Sequence, residues 1–213
     1  MYLPKHFAEP SVEVMHDLIR AHPLSTLITM TADGIEANHI PLLLSAQPGP
    51  FGTLYGHVAR ANPLWQIYQK ECEILAVFSG PNAYISPTWY ATKKEHGKVV
   101  PTWNYAVTHA YGTLRVIDDA VWLRSHLTAL TANNEANLPT PWAVEDAPHD
   151  YTEKMISAVV GIEITITRLI GKWKVSQNQS TQNRATVIEA LNASGGAQAV
   201  SMAMLIRDAA KKN

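Results

Sequence analysis

Apolar and polar positions alternate through the middle of the chain, and this period of two predicts β-strands. Leu24 to Thr31 is rich in apolar and β-branched residues, Asp33-Gly34 is typical of a hairpin turn, and Ile35 to Leu44 continues as a second strand. The same features predict further strands over residues 51–58, 73–79, 106–117 and 161–170. Hairpins or short helices join most of these strands, so the regular strand–helix alternation of a doubly wound parallel sheet is absent.

The segments around the strands have a helical period instead. Val12, Met15, Leu18 and Ile19 fall on one face behind the candidate N-cap Ser11. Further helices are predicted over residues 63–69, 120–130, 151–158, 181–191 and 197–210. The pattern favours a mainly β, α+β fold, an antiparallel barrel with peripheral helices. Residues 1–213 are expected to form a single domain, with the C-terminal helices (about 181–210) packed on it.

Two aromatic segments, residues 83–90 and 99–105, each contain or adjoin Pro-Thr-Trp and are predicted to be the limbs of a long hairpin with Lys93 to Lys98 at its tip. They interleave large rings with hydroxyl and amide groups, namely Ser86, Thr88, Trp89, Trp103, Asn104 and Tyr105. A flat heterocycle would use both, because rings stack on its faces while polar groups bond its edges. The alternative is that these rings fill the barrel core or a dimer interface. Residues 176–179 have a similar character, and could equally be a polar turn before the next helix.

The segment from Gly56 to Trp65 predicts a strand that turns directly into a helix. Asn62 is a favoured N-cap, and Pro63 suits the first helical position because its missing N–H would be unpaired there. The free N–H groups of a helix start, beside His57 and Arg60, would suit a phosphate or another anion. The alternative is an ordinary turn with a solvent-facing arginine.

The composition of the chain excludes several classes of protein and site. The 17 basic and 18 acidic residues give a net charge of −1, so the clustered basic face of a nucleic-acid-binding protein is absent from the sequence. Cys72 is the only cysteine, which excludes an intrachain disulfide, and no apolar run approaches the roughly 20 residues of a membrane span. A cytoplasmic protein is therefore expected. The nine histidines include no His-x-x-x-His pair, so no metal ligand set is predicted.

Several distinctive segments together resemble the PaiB family, described as FMN-binding negative transcriptional regulators. The matching segments are residues 1–4 with Phe7, Ile40-Pro41, 56–63, 80–81, 83–90, 100–105 and 172–178. This family is similar to the flavin-binding split-barrel proteins of the pyridoxine-phosphate-oxidase type. The resemblance therefore implies a six-stranded antiparallel split β-barrel, a homodimer, and FMN near the dimer interface.

The resemblance also implies roles for particular residues. A basic residue at the strand-to-helix corner of split-barrel flavoproteins typically binds the FMN phosphate, and Arg60 occupies that place, with His57 as its partner and Asn62 beside it. The implied contacts to the ring and ribityl chain come from the two hairpin limbs and from the segment near the C-terminus. They are Ser86, Thr88, Trp103, Asn104, Tyr105, Trp173, Ser176 and Gln177.

Two functions remain open at this point. The family description implies a negative transcriptional regulator. The sequence shows neither a clear helix-turn-helix nor a basic face, so only the resemblance suggests DNA as a partner. The alternative is an FMN-dependent oxidoreductase of the pyridoxine-phosphate-oxidase-like class, in which the protein positions the flavin. Haem binding on the same barrel type is a third hypothesis. No residue is assigned a catalytic role.

Overall fold

The computed structural model describes residues 1–211 and contains a mainly antiparallel sheet with flanking helices. The strands are β1 (Ala8–Glu9), β2 (Leu24–Thr31), β3 (Gly34–Pro41), β4 (Leu43–Ser45), β5 (Thr53–Ala59), β6 (Ile74–Ile85), β7 (Thr102–Ile117) and β8 (Val159–Lys174). The α-helices are α1 (Val12–Ala21), α2 (Leu64–Ile67), α3 (Lys93–His96), α4 (Ala120–Glu135), α5 (His149–Ser157), α6 (Thr181–Ser194) and α7 (Ala197–Lys211). Short 3-10 helices cover Lys5–Phe7, Pro87–Trp89 and Val144–Asp146.

The strands follow the order β3-β2-β6-β7-β8-β5-β4, and β1 pairs with β8. Each pairing with a defined register is antiparallel, including the hairpin β2–β3 and the long-range pair β5–β8. Six strands have seven or more residues, while β1 and β4 have two and three. The prediction of a six-stranded antiparallel split barrel with peripheral helices is thus confirmed in its main strands.

The chain divides into two compact units. The first unit consists of Met1–Leu18, Ser79–Thr108 and the chain from Ile170 onward, and the second consists of Ile19–Phe78 and His109–Leu169. In the first unit, α6 and α7 form a helical hairpin around the buried side chains of Leu191, Met202 and Ile206. In the second unit, the core contains fully buried residues of several strands, among them Leu27, Leu54, Phe78, Ile162 and Ile164.

Several predicted boundaries were wrong for identifiable reasons. The strand predicted to stop at Ser79 continues to Ile85, because Gly80 is not a turn residue: a Cβ there would lie 2.8 Å from Cδ1 of Leu18, so the glycine lets α1 pack closely on β6. The predicted strand over 35–44 is divided at Leu42, whose N–H donates to the Pro23 carbonyl at 2.9 Å. The predicted tip at 93–98 contains the short helix α3, which ends at Gly97 with a φ of 67°.

The predicted helices are present with altered ends. The Ser11 hydroxyl accepts a bond from the Val14 N–H at 3.2 Å, as an N-cap should, while α4 extends to Glu135. Within residues 1–211, no helix has the length and apolar character needed to cross a membrane.

Candidate functional site

Arg60 follows β5 in the second unit and is held by four hydrogen bonds. Its Nη1 and Nη2 donate to the two carboxylate oxygens of Asp118 at 3.0 and 2.6 Å. Its Nε donates to the Ser157 carbonyl at 2.8 Å, and Nη2 also donates to the Val159 carbonyl at 3.1 Å. The hydrogen bond to Arg60 lowers the pKa of Asp118, and the same bond raises the pKa of Arg60. Because a guanidinium has five N–H donors, most of its capacity is already used, and its charge is paired.

The predicted start of the helix is shifted by one residue, since α2 begins at Leu64 with Pro63 at its N-cap, but Asn62 still bonds the first turn. The side-chain oxygen of Asn62 accepts the Leu64 N–H at 2.9 Å, and its amide donates to Asn38 at 2.8 Å. The helix that follows, α2, has only four residues, fewer than the predicted 63–69. One helical turn has a weak dipole, so any anion at this corner would depend on side-chain charge.

His57 lies on β5 and contacts His126 of α4 rather than the Arg60 side chain. Nδ1 of His57 and Nε2 of His126 are 3.2 Å apart, so one of these nitrogens carries the proton. Burial lowers the pKa of His57, and burial together with the neighbouring charge of His57 lowers the pKa of His126 to about 4. Both rings are therefore neutral at pH 7.

An aromatic cluster surrounds this histidine pair. The Trp122 ring stacks on His126 with centroids 5.2 Å apart and meets Tyr55 edge-on at 6.1 Å. These three side chains line a mainly apolar pocket of about 280 Å³, together with Leu43, Leu44, Ser45, Ser125 and Ala129. His126 and Trp122 could not be predicted from the sequence, because α4 has no clear apolar stripe that would show which side faces the sheet.

The aromatic hairpin lies in the first unit. Ser86 caps the 3-10 helix Pro87–Trp89, since its hydroxyl oxygen accepts the Thr88 N–H at 3.2 Å and lies 2.7 Å from the Thr88 hydroxyl. Trp103 is 55% exposed and contacts Tyr84 edge-on, with ring centroids 6.1 Å apart. A large exposed ring pair of this kind is suited to ligand contact.

Asn104 and Ser176 come together beside this hairpin. The Asn104 amide donates to the Ser176 hydroxyl at 2.8 Å, and both residues are buried. Ser176 has a φ of 62°, in the left-handed region that non-glycine residues rarely adopt. Gln177 supports this turn, because its side chain accepts the Val175 N–H at 2.8 Å and donates to the Trp173 carbonyl at 2.5 Å. The interpretation of residues 176–179 as a polar turn therefore accounts for both side-chain hydrogen bonds of Gln177.

The lysines of β8 are close to these groups. Lys174 donates to the Thr102 hydroxyl and to the Trp103 carbonyl, the latter at 2.9 Å. Lys172 is buried, with its ammonium 5.3 Å from the centre of the Tyr105 ring. Trp173, one position between them, is buried and points to the opposite face of the strand, where its ring lies over Gly171. From the sequence, only Trp173 of this segment was predicted to contact the cofactor, although the alternation of β8 could have placed both lysines on one face.

Over residues 1–211, no three side chains of the histidine, cysteine or carboxylate type are grouped as a metal site.

Two relatives match along all or nearly all of the chain. An uncharacterized protein of Emericella nidulans is 34% identical over 243 residues, covering 98% of this chain and 97% of the relative. The Bacillus subtilis "Protease synthase and sporulation protein PAI 2" is 29% identical over 212 residues, covering 100% and 99%. The resemblance to the PaiB family, deduced from the motifs, is thereby confirmed.

Solved structures support the split-barrel fold. The FAD and haem binding protein from Mycobacterium smegmatis matches with a TM-score of 0.60 and 16% identity, covering 89% of this chain and 80% of that one. The flavocytochrome Anf3 from Azotobacter vinelandii matches with a TM-score of 0.59 and 14% identity, covering 86% and 78%. At these identities, the likeness shows the fold alone.

The first unit has side chains that fit one part of a flavin nucleotide. A cleft of about 130 Å³ is lined by Tyr90, Val100, Thr102, Asn104, Lys174, Ser176, Asn178 and Gln179. Its ammonium, hydroxyl and amide groups suit the oxygen-rich edge or the phosphate of FMN. Pockets that enclose a whole cofactor typically measure about 300–1,000 Å³, so this cleft would hold one group of it.

A family model identifies the cofactor type independently of these relatives. It is described as "Putative FMN-binding domain" and matches residues 1–168, which is most of the 213-residue chain. FMN, the cofactor predicted from the sequence, is thus the cofactor of this family. The chain is therefore an FMN-binding protein of the PaiB type and belongs to the putative FMN-binding domain family.

Proposed function

We propose that this chain is an FMN-dependent oxidoreductase whose first unit binds the cofactor. The observation that carries the proposal is the arrangement around Trp103. An exposed ring pair, Trp103 and Tyr84, accompanies the buried Asn104–Ser176 pair and the ammonium of Lys174 in one unit. Rings suit the faces of a flat heterocycle, and amide, hydroxyl and ammonium donors suit its polar edges.

Different side chains would bind different parts of the cofactor. FMN, when bound, supplies hydride and electron transfer, which no protein side chain provides. Trp103 would cover apolar surface of the ring system, while Asn104 and Ser176 would bind a polar group of the cofactor, because their mutual hydrogen bond fixes both side chains. Ser86 and Thr88, which bond each other at the start of the hairpin loop, are further candidate contacts.

A homodimer completes this proposal. The cleft of about 130 Å³ is smaller than a cofactor, so further surface must enclose the rest of FMN. A second copy of the chain is the source that the family resemblance implies. Size-exclusion chromatography with light scattering tests this, and a monomer that retains FMN would contradict it.

A regulatory role is the second candidate. It is favoured by the relative named for protease synthesis and sporulation, which aligns with the whole chain at 29% identity. The net charge of −1 argues against a broad basic contact with DNA, so regulation would act through a partner or a small molecule.

The first experiment is a visible absorption spectrum of the purified chain, before and after FMN is added and excess is removed by desalting. Near-stoichiometric flavin bands would support FMN binding, whereas a protein spectrum alone would contradict it. Reoxidation of the reduced flavin by candidate acceptors, set against a gel shift with promoter DNA at stated salt, then separates oxidoreductase from regulator. A Soret band would instead indicate haem.

A further inference from the structure

Lys172 and Lys174 lie on one face of β8 without a carboxylate partner. They are two positions apart in a strand, so their side chains leave the same face. Lys172 donates to the Tyr2 carbonyl at 3.0 Å, and its ammonium lies 5.3 and 5.7 Å from the ring centres of Tyr105 and Tyr2. Within residues 1–211, neither lysine forms an ion pair.

This arrangement leaves positive charge without a balancing negative charge. Lys172 is 7% exposed, and a buried ammonium is costly unless opposite charge or several acceptors compensate for it. An ammonium has three N–H donors, of which Lys172 uses one and Lys174 uses two. Lys174 therefore keeps one N–H that can be offered to a ligand, and it lines the polar cleft.

Uncharged donors in the cleft are fixed in place beside Lys174. The Ser176 oxygen accepts from the Asn104 amide, so its O–H is left to donate elsewhere. The left-handed backbone of Ser176, with a φ of 62°, is the kind of strain that surrounding contacts must maintain. Gln179 accepts the Asn183 amide through its oxygen, which leaves its own amide N–H groups as donors. One cation with convergent hydroxyl and amide donors is the composition of an oxyanion site.

We propose that the cleft around Lys174 and Ser176 binds the oxyanion group of a small molecule, a phosphate or a carboxylate. Its volume of about 130 Å³ suits one such group rather than a complete ligand. The group has two sources, the phosphate of FMN, which rests on the proposed function, or an anionic substrate that reacts with the flavin. Arg60 is the rival phosphate site, but its charge is paired with Asp118.

The test compares FMN with riboflavin, which lacks the phosphate, by fluorescence titration of Lys174→Met, Arg60→Met and the parent chain. The control is Lys70→Met, because Lys70 is an exposed turn residue and its loss makes the same change in net charge. Calorimetry with inorganic phosphate is carried out on each protein with and without flavin. Circular dichroism checks that each variant is folded, and Ser176→Gly, which removes the hydroxyl while suiting the left-handed backbone, replaces Lys174→Met if that variant is unfolded.

Two results would support the proposal. If the FMN phosphate occupies the cleft, Lys174→Met weakens FMN about 10- to 100-fold, as expected for a charged hydrogen bond, and leaves riboflavin unchanged. If an anionic substrate occupies it, flavin affinities are unchanged, and inorganic phosphate binds the parent and Lys70→Met but not Lys174→Met.

Three results would overturn it. The first is that folded Lys174→Met loses affinity for FMN and for riboflavin equally. The second is that only Arg60→Met loses the preference for FMN over riboflavin, while the binding of inorganic phosphate does not depend on Lys174. The third is that the flavin affinities are unchanged in Lys174→Met and that inorganic phosphate either binds the parent and Lys174→Met equally or binds neither. A parent chain that binds no flavin contradicts the proposed function, while its phosphate calorimetry still decides the anion site.

Discussion

The guanidinium of Arg60 and the carboxylate of Asp118 form a two-pronged ion pair, with hydrogen bonds of 3.0 and 2.6 Å. The same guanidinium donates to the backbone carbonyls of Ser157 and Val159, which lie at the junction of α5 and β8. Arg60 thus joins the end of β5 to two later segments of the second unit. This role does not require a ligand, although the sequence first suggested a phosphate-binding residue at this position.

We expect Arg60→Met to lower the free energy of unfolding more than Arg115→Met does. Arg115 is the matched control because it forms a similar two-pronged pair with Glu163. Exposed ion pairs contribute little to stability, so the difference should come mainly from the two carbonyls that Arg60 satisfies. Urea denaturation of both variants measures it, and equal losses would show that the carbonyl bonds add nothing.

The histidine pair predicts a pH-dependent stability. His126 has a folded-state pKa of about 4, below its ordinary value of 6.5, because burial and the charge of His57 disfavour protonation. The unfolded chain therefore binds more protons between these values, and the folded state loses stability as the pH falls from 6.5 towards 4. The loss from this group reaches about 3 kcal/mol near pH 4 and levels off below it.

His126→Gln should remove most of this loss between pH 6.5 and 5, where most carboxylates remain ionised. The matched control is His149→Gln, because the His149 side chain is 85% exposed. The measurement is the free energy of unfolding in urea at several pH values. If His126→Gln keeps the slope of the parent chain, His126 is not protonated on unfolding in this range.

The sequence predicted the strands better than their ends, for a physical reason. The alternation of apolar and polar residues reflects which side chains face the core, and it predicted all six long strands. The alternation could not explain Gly80, because a glycine normally indicates a turn. Here the glycine is needed because Leu18 packs against it. The packing partner is 62 positions away in the sequence, and no local pattern contains it.

Which candidate residues lie near one another could be predicted to the same extent. The motifs of the aromatic hairpin led to Trp103 and Asn104, and the segment near the C-terminus led to Ser176; the structure places all three in one unit with Lys174. The pairing of Arg60 with Asp118 was not predicted, since the sequence suggested His57 as the partner of Arg60. Asp119, the neighbour of Asp118, begins α4 by accepting the Trp122 N–H at 2.7 Å. Partners so distant in the chain depend on the tertiary fold.

Gly161 is expected to tolerate no side chain, because the Trp122 ring lies against its backbone. A Cβ on Gly161 would lie 2.9 Å from Cε3 of Trp122 and closer still to Cζ3, with the Ile117 carbonyl oxygen at 3.0 Å. Gly161→Ala should therefore destabilise the chain by about 1–3 kcal/mol. In a Trp122→Leu background the flexible side chain can move aside, so the same substitution should cost less. Additive losses in this double-mutant cycle, measured by denaturation, would show that Trp122 does not limit the space.

Trp103 provides the most direct test of the proposed flavin contact. Because its side chain is 55% exposed, Trp103→Leu should change the stability by less than about 0.5 kcal/mol. A lost aromatic contact with the flavin should weaken FMN by about two- to tenfold, from the 0.5–1.5 kcal/mol typical of ring pairs. Trp142→Leu is the control, since Trp142 is an exposed tryptophan in the second unit. Fluorescence titration of FMN and riboflavin should show equal weakening for both, because a ring contact is independent of the phosphate. Unchanged affinities in Trp103→Leu would remove this residue from the site and leave Tyr84, the other member of the exposed ring pair, as the ring contact to test.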